Sequence, residues 1–447
     1  MINAIVNVFK IRDLRRKLLM TLALIAVYRI GAYIPTPGIN GQALSEFFKS
    51  LAETPGGNLF GIINMFTGGA MRRLTIFALG VMPYISAAII LQVLTPVIPA
   101  LEKLAHEERG REKINQWTRY LTVVITAFQA FFIGLWLENS EYFRGYQIVF
   151  NPGWGFRFST VITLTTGTIF IMWLGEQITE YGIGNGISIL ITAGIISRIP
   201  AALYQLYLLT APFSPAGGQI KPFTLIIMAV MLVAVVIAVV LLTQGQRRIP
   251  VQYARRVIGR RVYGGQSTYI PLRINQAGVI PIIFAQSVLL FPATIAGFFP
   301  SETLQRIVSL FTRGNLLYYI LYSGLIIFFS YFYTAIIFNP TDVAENMKRF
   351  GGFIPGVRPG KSTADYLHYI MERITLPGSI FLAVIAILPS IISYALHIPY
   401  LVASFFGGTG LLIIVGVLLD TERQLESQLL MRQYEGFMRK GRIRGRR

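Results

Sequence analysis

The chain has 447 residues, of which 54% are hydrophobic and 13% charged, whereas soluble proteins average about 25% charged. Soluble and fibrous folds are excluded by that balance. Basic residues outnumber acidic ones 40 to 20, for a net charge of +20, and cysteine is absent, which leaves no disulfide, thiolate metal site or cysteine nucleophile.

The hydrophobic excess is gathered into runs. Phe223 to Leu242 and Leu317 to Phe338 contain no Asp, Glu, Lys, Arg or His. At about 1.5 Å per residue such runs cross a hydrocarbon core of roughly 30 Å. Outer-membrane barrel strands are alternating segments of about ten residues, so continuous apolar runs exclude a barrel as well.

Ten spans are predicted: 18–36, 75–98, 117–137, 158–178, 187–207, 222–243, 277–297, 317–338, 376–396 and 400–420. The first follows the basic run Arg12 to Lys17 and mimics a secretion signal, but no small-residue cleavage site comes after it. Arg29 and the segment Tyr33 to Gly38, with Pro35 and Pro37, read instead as the exit of a retained helix. Between spans one and two, Asn58 to Met71 is apolar, flanked by Gly56-Gly57 and broken by Gly68-Gly69. It is too short to span and reads as a re-entrant or interfacial helix entering from the outer side. Irregular backbone at membrane depth needs protein or water around it, which points to a cavity opening outward.

Charge sets the orientation. Five basic residues lie between Lys10 and Lys17, 4 in loop 99–116, 7 in loop 244–275, 5 in loop 339–373 and 8 in the tail 421–447. The other face holds six: Lys49, Arg144, Arg157, Lys221, Arg306 and Arg313. The positive-inside rule therefore places both termini in the cytoplasm.

Coupled transporters usually carry Asp, Glu or His inside their spans. Spans six to nine carry none, and span ten has Asp420 only at its inner end. Arg29 and Arg198 toward outer ends, and Arg119 and Glu176 toward inner ends, read as snorkelling side chains. A small-solute secondary transporter, the alternative reading, lacks its usual carriers. An enzyme would need converging acids, bases or metal ligands, yet His106, His368 and His397 lie far apart and outside the apolar runs. No cofactor is expected. Gly182-Ile183-Gly184-Asn185-Gly186 is not followed by the Lys-Ser/Thr of a phosphate loop and reads as a tight turn between spans.

The remaining chemistry lies on the cytoplasmic face. Loop 244–275 carries Arg247, Arg248, Arg255, Arg256, Arg260, Arg261 and Arg273 with no acid. Two readings stand side by side: a topology determinant anchoring lipid phosphate, or a grip on a phosphate-rich partner such as structured RNA, helped by Tyr253 and Tyr263. In the mixed-charge loop 339–373, Gly351 to Gly360 (GGFIPGVRPG) presents Arg358 on a stiffened turn, which favours docking of a protein.

Six blocks then carry a resemblance over the length of the chain: Thr75 to Leu94, Trp173 to Leu190, Gln246 to Arg256, Gly259 to Arg273, Phe353 to Gly360, and Tyr434-Glu435-Gly436-Phe437. In this order and on these faces they resemble the SecY/Sec61-alpha family of protein-conducting channels. The resemblance implies an all-α polytopic membrane protein of ten transmembrane helices, in two inverted five-helix halves around a central pore. The halves would be residues 1–210 and 211–420, followed by a basic cytoplasmic tail at 421–447. It implies a pore ring of Val81, Ile85, Ile187, Ile191, Ile283 and Ile413, and the first two pairs are spaced i, i+4 on one helix face. A plug would occupy about 58–71, with Asn58, Phe60, Ile62, Ile63, Met65 and Phe66. Just after it Arg72 and Arg73 stand where the family usually has one basic residue. Ser86, Gln129, Gln286 and Phe291 would line a lateral gate formed by spans two, three, seven and eight.

The implied activity is passive. Unfolded preproteins bearing signal peptides would cross the bacterial cytoplasmic membrane, and transmembrane segments would leave sideways into membrane lipids. The implied partners are SecE, SecG, the SecA ATPase motor and the ribosome with its ribosomal RNA. Arg247, Arg248, Arg255, Arg256, Arg260, Arg261 and Arg358 would dock the motor or ribosome.

Overall fold

A computed structural model describes residues 11–52, 67–107, 109–139, 143, 146–210, 222–253, 256–258, 261–263, 267–297, 315–396, 398 and 400–440. At 48–52, 106, 222, 256–258, 261–263, 267, 290–297, 400–401 and 432–440 only the backbone is described. The chain forms two compact units, one of Met1–Gln205, Ser287–Asn315 and Val417–Arg447, the other of Leu206–Gln286 and Leu316–Gly416.

The first unit contains α1 (Arg12–Gly31), α2 (Gly41–Ala52), α3 (Met82–Val97), α4 (Pro99–His106), α5 (Gly110–Glu138), α6 (Trp154–Tyr181), α7 (Gly186–Ile196) and the start of α8 (Ile199–Thr210). Leu14, Thr21, Leu24 and Tyr28 are buried along α1, a three- and four-residue spacing that makes one face. The hydroxyls of Thr118, Thr122 and Thr126 donate to the carbonyls four residues back at 2.9, 2.7 and 2.6 Å. A helix in lipid must satisfy its polar atoms internally, and α5 does so with its own backbone. Glu138 fastens the end of α5 to the start of α6, accepting from Gly153 N at 2.8 Å and pairing with Arg157 at 2.6 Å.

The second unit holds α9 (Pro222–Gln244), β1 (Gln246–Tyr253), β2 (Arg256–Ile258), β3 (Arg261–Tyr263), β4 (Ser267–Arg273), the start of α10 (Ile280–Gly297), α11 (Leu316–Ile337), α12 (Pro340–Arg349), β5 (Gly352–Phe353), α13 (Lys361–Leu396), α14 (Tyr400–Ala403) and the start of α15 (Thr409–Lys440). Strand β1 pairs antiparallel with β4 from Gln246↔Arg273 to Gln252↔Ser267, and with β5 through Gln252↔Phe353. One side of this small sheet is apolar: Ile249, Val251 and Leu272 are buried in a cluster with Met347, Ile354, Leu367, Ile370 and Met371.

Among the described residues six helical segments, including α7 with α8 as one, are long and apolar enough to cross a membrane. The pair α3 and α4, bent by 102° at the break after Val97, makes a seventh. With α1, α10 and α15 the count is ten, consistent with the expected number of spans.

Three expected boundaries are corrected. The helix of span one ends at Gly31, not Thr36, because residues 34 and 36 pair with 76 and 74. Span two is helical only from Met82, not Thr75, because the preceding backbone is paired elsewhere: Thr36 N donates to Leu74 O and Ile76 N to Ile34 O, both at 3.0 Å. Span ten becomes a continuous helix only at Thr409, not Tyr400. Gly408 adopts φ +88°, and a Cβ there would lie 2.4 Å from Pro389 Cγ, so the chain breaks where it meets α13. The expected re-entrant helix at Asn58–Met71 lies outside the described residues from 58 to 66; its end is a turn at 67–70 running into a 3-10 helix at Met71–Arg73.

Candidate functional site

Each expected pore residue is placed by its own unit. In the first unit Gly80 turns the chain at φ +57° and Val81 caps α3, with Pro83 in the first turn. Ile85 N donates to Val81 O at 3.1 Å, so the two side chains stand one turn apart on one face, and both are buried. The turn before α7 is built as the glycines suggest. Gly184 has φ +82°, and a Cβ on Gly186 would sit 1.9 Å from Gly175 O. Asn185 then caps α7 by accepting from Ser188 N at 3.1 Å. Ile191 is buried on α7, whereas Ile187 is half-buried with its Cγ1 against Gly175 of α6. Part of the Ile187 side chain is thus spent on helix packing.

In the second unit Ile283 and Ile413 are buried on α10 and α15. These helices approach closely at Gly416, where a Cβ would meet Val279 Cγ1 at 2.5 Å. Ile283 N donates to Val279 O, placing it one turn beyond that contact, and Ile413 lies about one turn before Gly416.

Of the expected gate residues, Ser86 donates to Met82 O at 3.1 Å within α3, and Gln129 is buried on α5. Gln286 is 2% exposed, and among the described residues neither atom of its amide has a hydrogen-bond partner. A buried unpaired amide costs about 1–3 kcal/mol. The side chain of Phe291 and the plug residues Asn58, Phe60, Ile62, Ile63, Met65 and Phe66 lie outside the described residues.

On loops 244–275 and 339–373, alternation along β1 turns Ile249 and Val251 inward and leaves Arg248 exposed, its guanidinium 4.8 Å from the ring centre of Tyr269. Arg247 is exposed at the start of the same strand. Arg256 and Arg261 occupy β2 and β3, paired as Arg256↔Tyr263 and Ile258↔Arg261. Arg255 and Arg260 lie outside the described residues. Arg358 is exposed on a turn with positive φ at Gly356 and Gly360, and its carbonyl accepts from Thr363 Oγ1 at 2.8 Å. Because β5 pairs with β1, the loop bearing Arg358 is attached to the strand bearing Arg247 and Arg248. Exposed arginines on a strand and a turn that share one apolar cluster are suited to contacting a large anionic or acidic partner.

Several residues read as snorkelling have partners. Arg119 Nε donates to Glu176 Oε1 at 2.8 Å, pairing α5 with α6. Arg29 Nη1 donates to Gly68 O at 3.2 Å and to Ser197 Oγ at 3.1 Å, and its Nη2 donates to Tyr33 Oη at 3.2 Å. Neither pairing is marked by sequence spacing. The only hint was a charge placed inside a span.

Among the described residues, apolar helices consistent with ten spans, glycine-set helix starts and exposed loop arginines define a polytopic membrane protein of the protein-conducting channel fold. A sequence profile of the SecY family matches residues 75–422. The protein translocase subunit SecY of Thermotoga maritima is 45% identical over 446 residues, covering 99% of each chain. The subunit of the same name from Aquifex aeolicus is 44% identical over 97% of this chain and 98% of its own. That of Escherichia coli K12 is 45% identical over 97% and 96%. Among solved structures, one described as a protein conducting channel superposes with a TM-score of 0.55 at 17% identity over 93% of both chains. Sec61 from a canine ribosome-channel complex does so at 0.53 and 16% identity, again over 93% of both. The chain belongs to the SecY family of protein translocase subunits.

Proposed function

We propose that this protein is the central channel of a Sec preprotein translocase in a bacterial cytoplasmic membrane, with both termini in the cytoplasm. Unfolded secretory proteins pass through it, and transmembrane segments leave it sideways into lipid. The observation that carries the reading is identity of 44–45% to translocase subunits over 97% or more of the chain. In this reading the halves are residues 1–210 and 211–420, and 421–447 is a cytoplasmic tail. Val81, Ile85, Ile187, Ile191, Ile283 and Ile413 form an apolar constriction that resists a water column. The segment 58–71 stops its outer mouth, and Ser86, Gln129, Gln286 and Phe291 line the lateral exit. Among the described residues the Gln286 amide has no hydrogen-bond partner, which supports a role in which a partner arrives during transport.

The protein needs no catalytic residues of its own, since direction is supplied by a cytoplasmic ATPase such as SecA or by a translating ribosome. Arg247, Arg248, Arg255, Arg256, Arg260, Arg261 and Arg358 receive these partners, and SecE and SecG complete the complex. The exposure of Arg247, Arg248 and Arg358 on one sheet-linked surface supports that assignment. Purified complex in liposomes, given a signal-bearing precursor with and without motor and ATP, tests the reading. Protection of the precursor from added protease only when motor and ATP are both present is expected. No protection under any of these conditions overturns it.

A further inference from the structure

Arg29 occupies a position that packing alone does not explain. It is half-buried near the outer end of α1, yet its guanidinium turns onto a backbone carbonyl of the turn that leads toward α3. That turn is seated tightly. A Cβ on Gly68 would lie 2.9 Å from Gly194 Cα of α7, and one on Gly80 would lie 3.0 Å from Thr67 Cγ2. Gly68 has φ +62°, a conformation that side chains rarely adopt. The same arginine donates to Ser197 Oγ, and Ser197 Oγ donates to Gly194 O at 2.7 Å. One cation thereby ties the turn to the helix it rests against. Behind it, Tyr33 Oη accepts from Arg29, and Arg73 lies 4.6 Å from the centre of the same ring.

We propose that Arg29 is a latch residue of the resting channel: its bonds to Gly68 O and Ser197 Oγ hold the turn at 67–69 against α7, and opening requires that they break. The inference rests on the channel reading above. Residues 67–69 are the described end of the segment read as the outer stopper, so a turn that lifts off α7 releases that end. Charge-assisted hydrogen bonds are the strong ones, and their loss shifts a two-state equilibrium by about tenfold or more. Tyr33, which accepts from Arg29 and lies under Arg73, helps to aim the latch.

The test uses the full chain in its purified complex, in planar bilayers and in liposomes. The parent must first pass precursor and conduct ions while a precursor is lodged in it; if it does neither, the channel reading falls and takes the latch with it. With those controls met, Arg29→Gln is expected to raise the resting open probability by at least about tenfold, Ser197→Ala to raise it less, and Arg29→Lys to restore part of the seal. Gly68→Ala, which forces the turn off Gly194, is expected to leak like Arg29→Gln. A local readout separates a latch from general loosening. Thr67→Cys, the sole cysteine of the chain, is expected to react slowly with a membrane-impermeant maleimide in the parent background and at least about tenfold faster with Arg29→Gln. If Arg29→Gln fails to assemble, Ser197→Ala and Gly68→Ala decide the matter. Resting conductance and labelling equal to the parent in the assembled variants, beside normal precursor transport, overturn the latch and leave the channel reading standing.

Discussion

Replacing Ile249 by alanine touches no charge, yet the fold predicts that it disables the proposed docking surface. Ile249 is 2% exposed, in the apolar underside shared by β1, β4, α12 and the first turns of α13. The substitution removes three carbons, worth about 2.4 kcal/mol at about 0.8 kcal/mol per buried methylene. The residual cavity pushes the cost toward about 3 kcal/mol, within the range for such truncations. The cluster is built from segments 244–275 and 339–373, between the apolar spans, so water-based figures apply. A loss of about 2.4 kcal/mol raises the population of the locally opened sheet roughly fifty-fold. Both the β1 arginines and the Arg358 turn then lose their common support. Hydrogen exchange of the β1 and β4 amides should accelerate by about that factor, while exchange in α5 and α6 stays as in the parent. Ribosome binding to vesicles and motor-driven translocation should both fall, and Ile249→Val, costing about 1 kcal/mol, should fall between. Faster exchange with undiminished binding and transport would refute the claim that this sheet orients the docking residues. Unchanged exchange would refute the packing argument itself.

Reversing Arg358 to Glu should abolish motor-driven transport while the complex still inserts and assembles, because the side chain is exposed on a turn held by backbone and Thr363 contacts; translocation and assembly assays on one preparation check both halves. Ile85→Ser with Ile191→Ser should raise resting ion flux, since polar surface wets an apolar constriction; flux no different from that of lipid-facing isoleucine controls would remove these residues from the pore axis. Single cysteines placed in loops 99–116, 244–275 and 339–373 should react with an impermeant thiol reagent only from the cytoplasmic side, and outside labelling at two of them would overturn the topology.

Hydropathy located the spans because an uninterrupted apolar run admits little else at that length, and α9 and α11 lie within a residue of their expected bounds. It failed at the entrances to spans two and ten. There the helix start is decided by contacts at a distance, the pairing of residues 74–76 with 34–36 and the close approach of Gly408 to Pro389. Apolar composition continues straight through both places. The arginines of loops 244–275 and 339–373 were visible as charge, but their union was not. It depends on β5, two residues long and of composition Gly-Phe, which no period-2 pattern can announce. Arg29 and Arg119 stand out in the sequence as charges in apolar runs, but their partners do not, because Gly68 O and Glu176 lie 39 and 57 residues away.

Helix α13 has a mechanical consequence. It begins beside the Arg358 turn and runs 36 residues without a break in its assigned helix, about 54 Å at the standard rise. Pro377 lies roughly 24 Å along it, and the adjoining Gly378 is pressed so closely on Ile274 that a Cβ would meet the Ile274 carbonyl at 2.8 Å. The helix is therefore a lever whose short arm ends beside the Arg358 turn and whose fulcrum is a proline beside a backbone contact. A torque delivered at Arg358 is not dissipated in a flexible linker; it arrives beyond Pro377 as a change of tilt. A swing of about ten degrees there displaces the far end, some 28 Å on, by roughly 5 Å, close to the pitch of one helical turn.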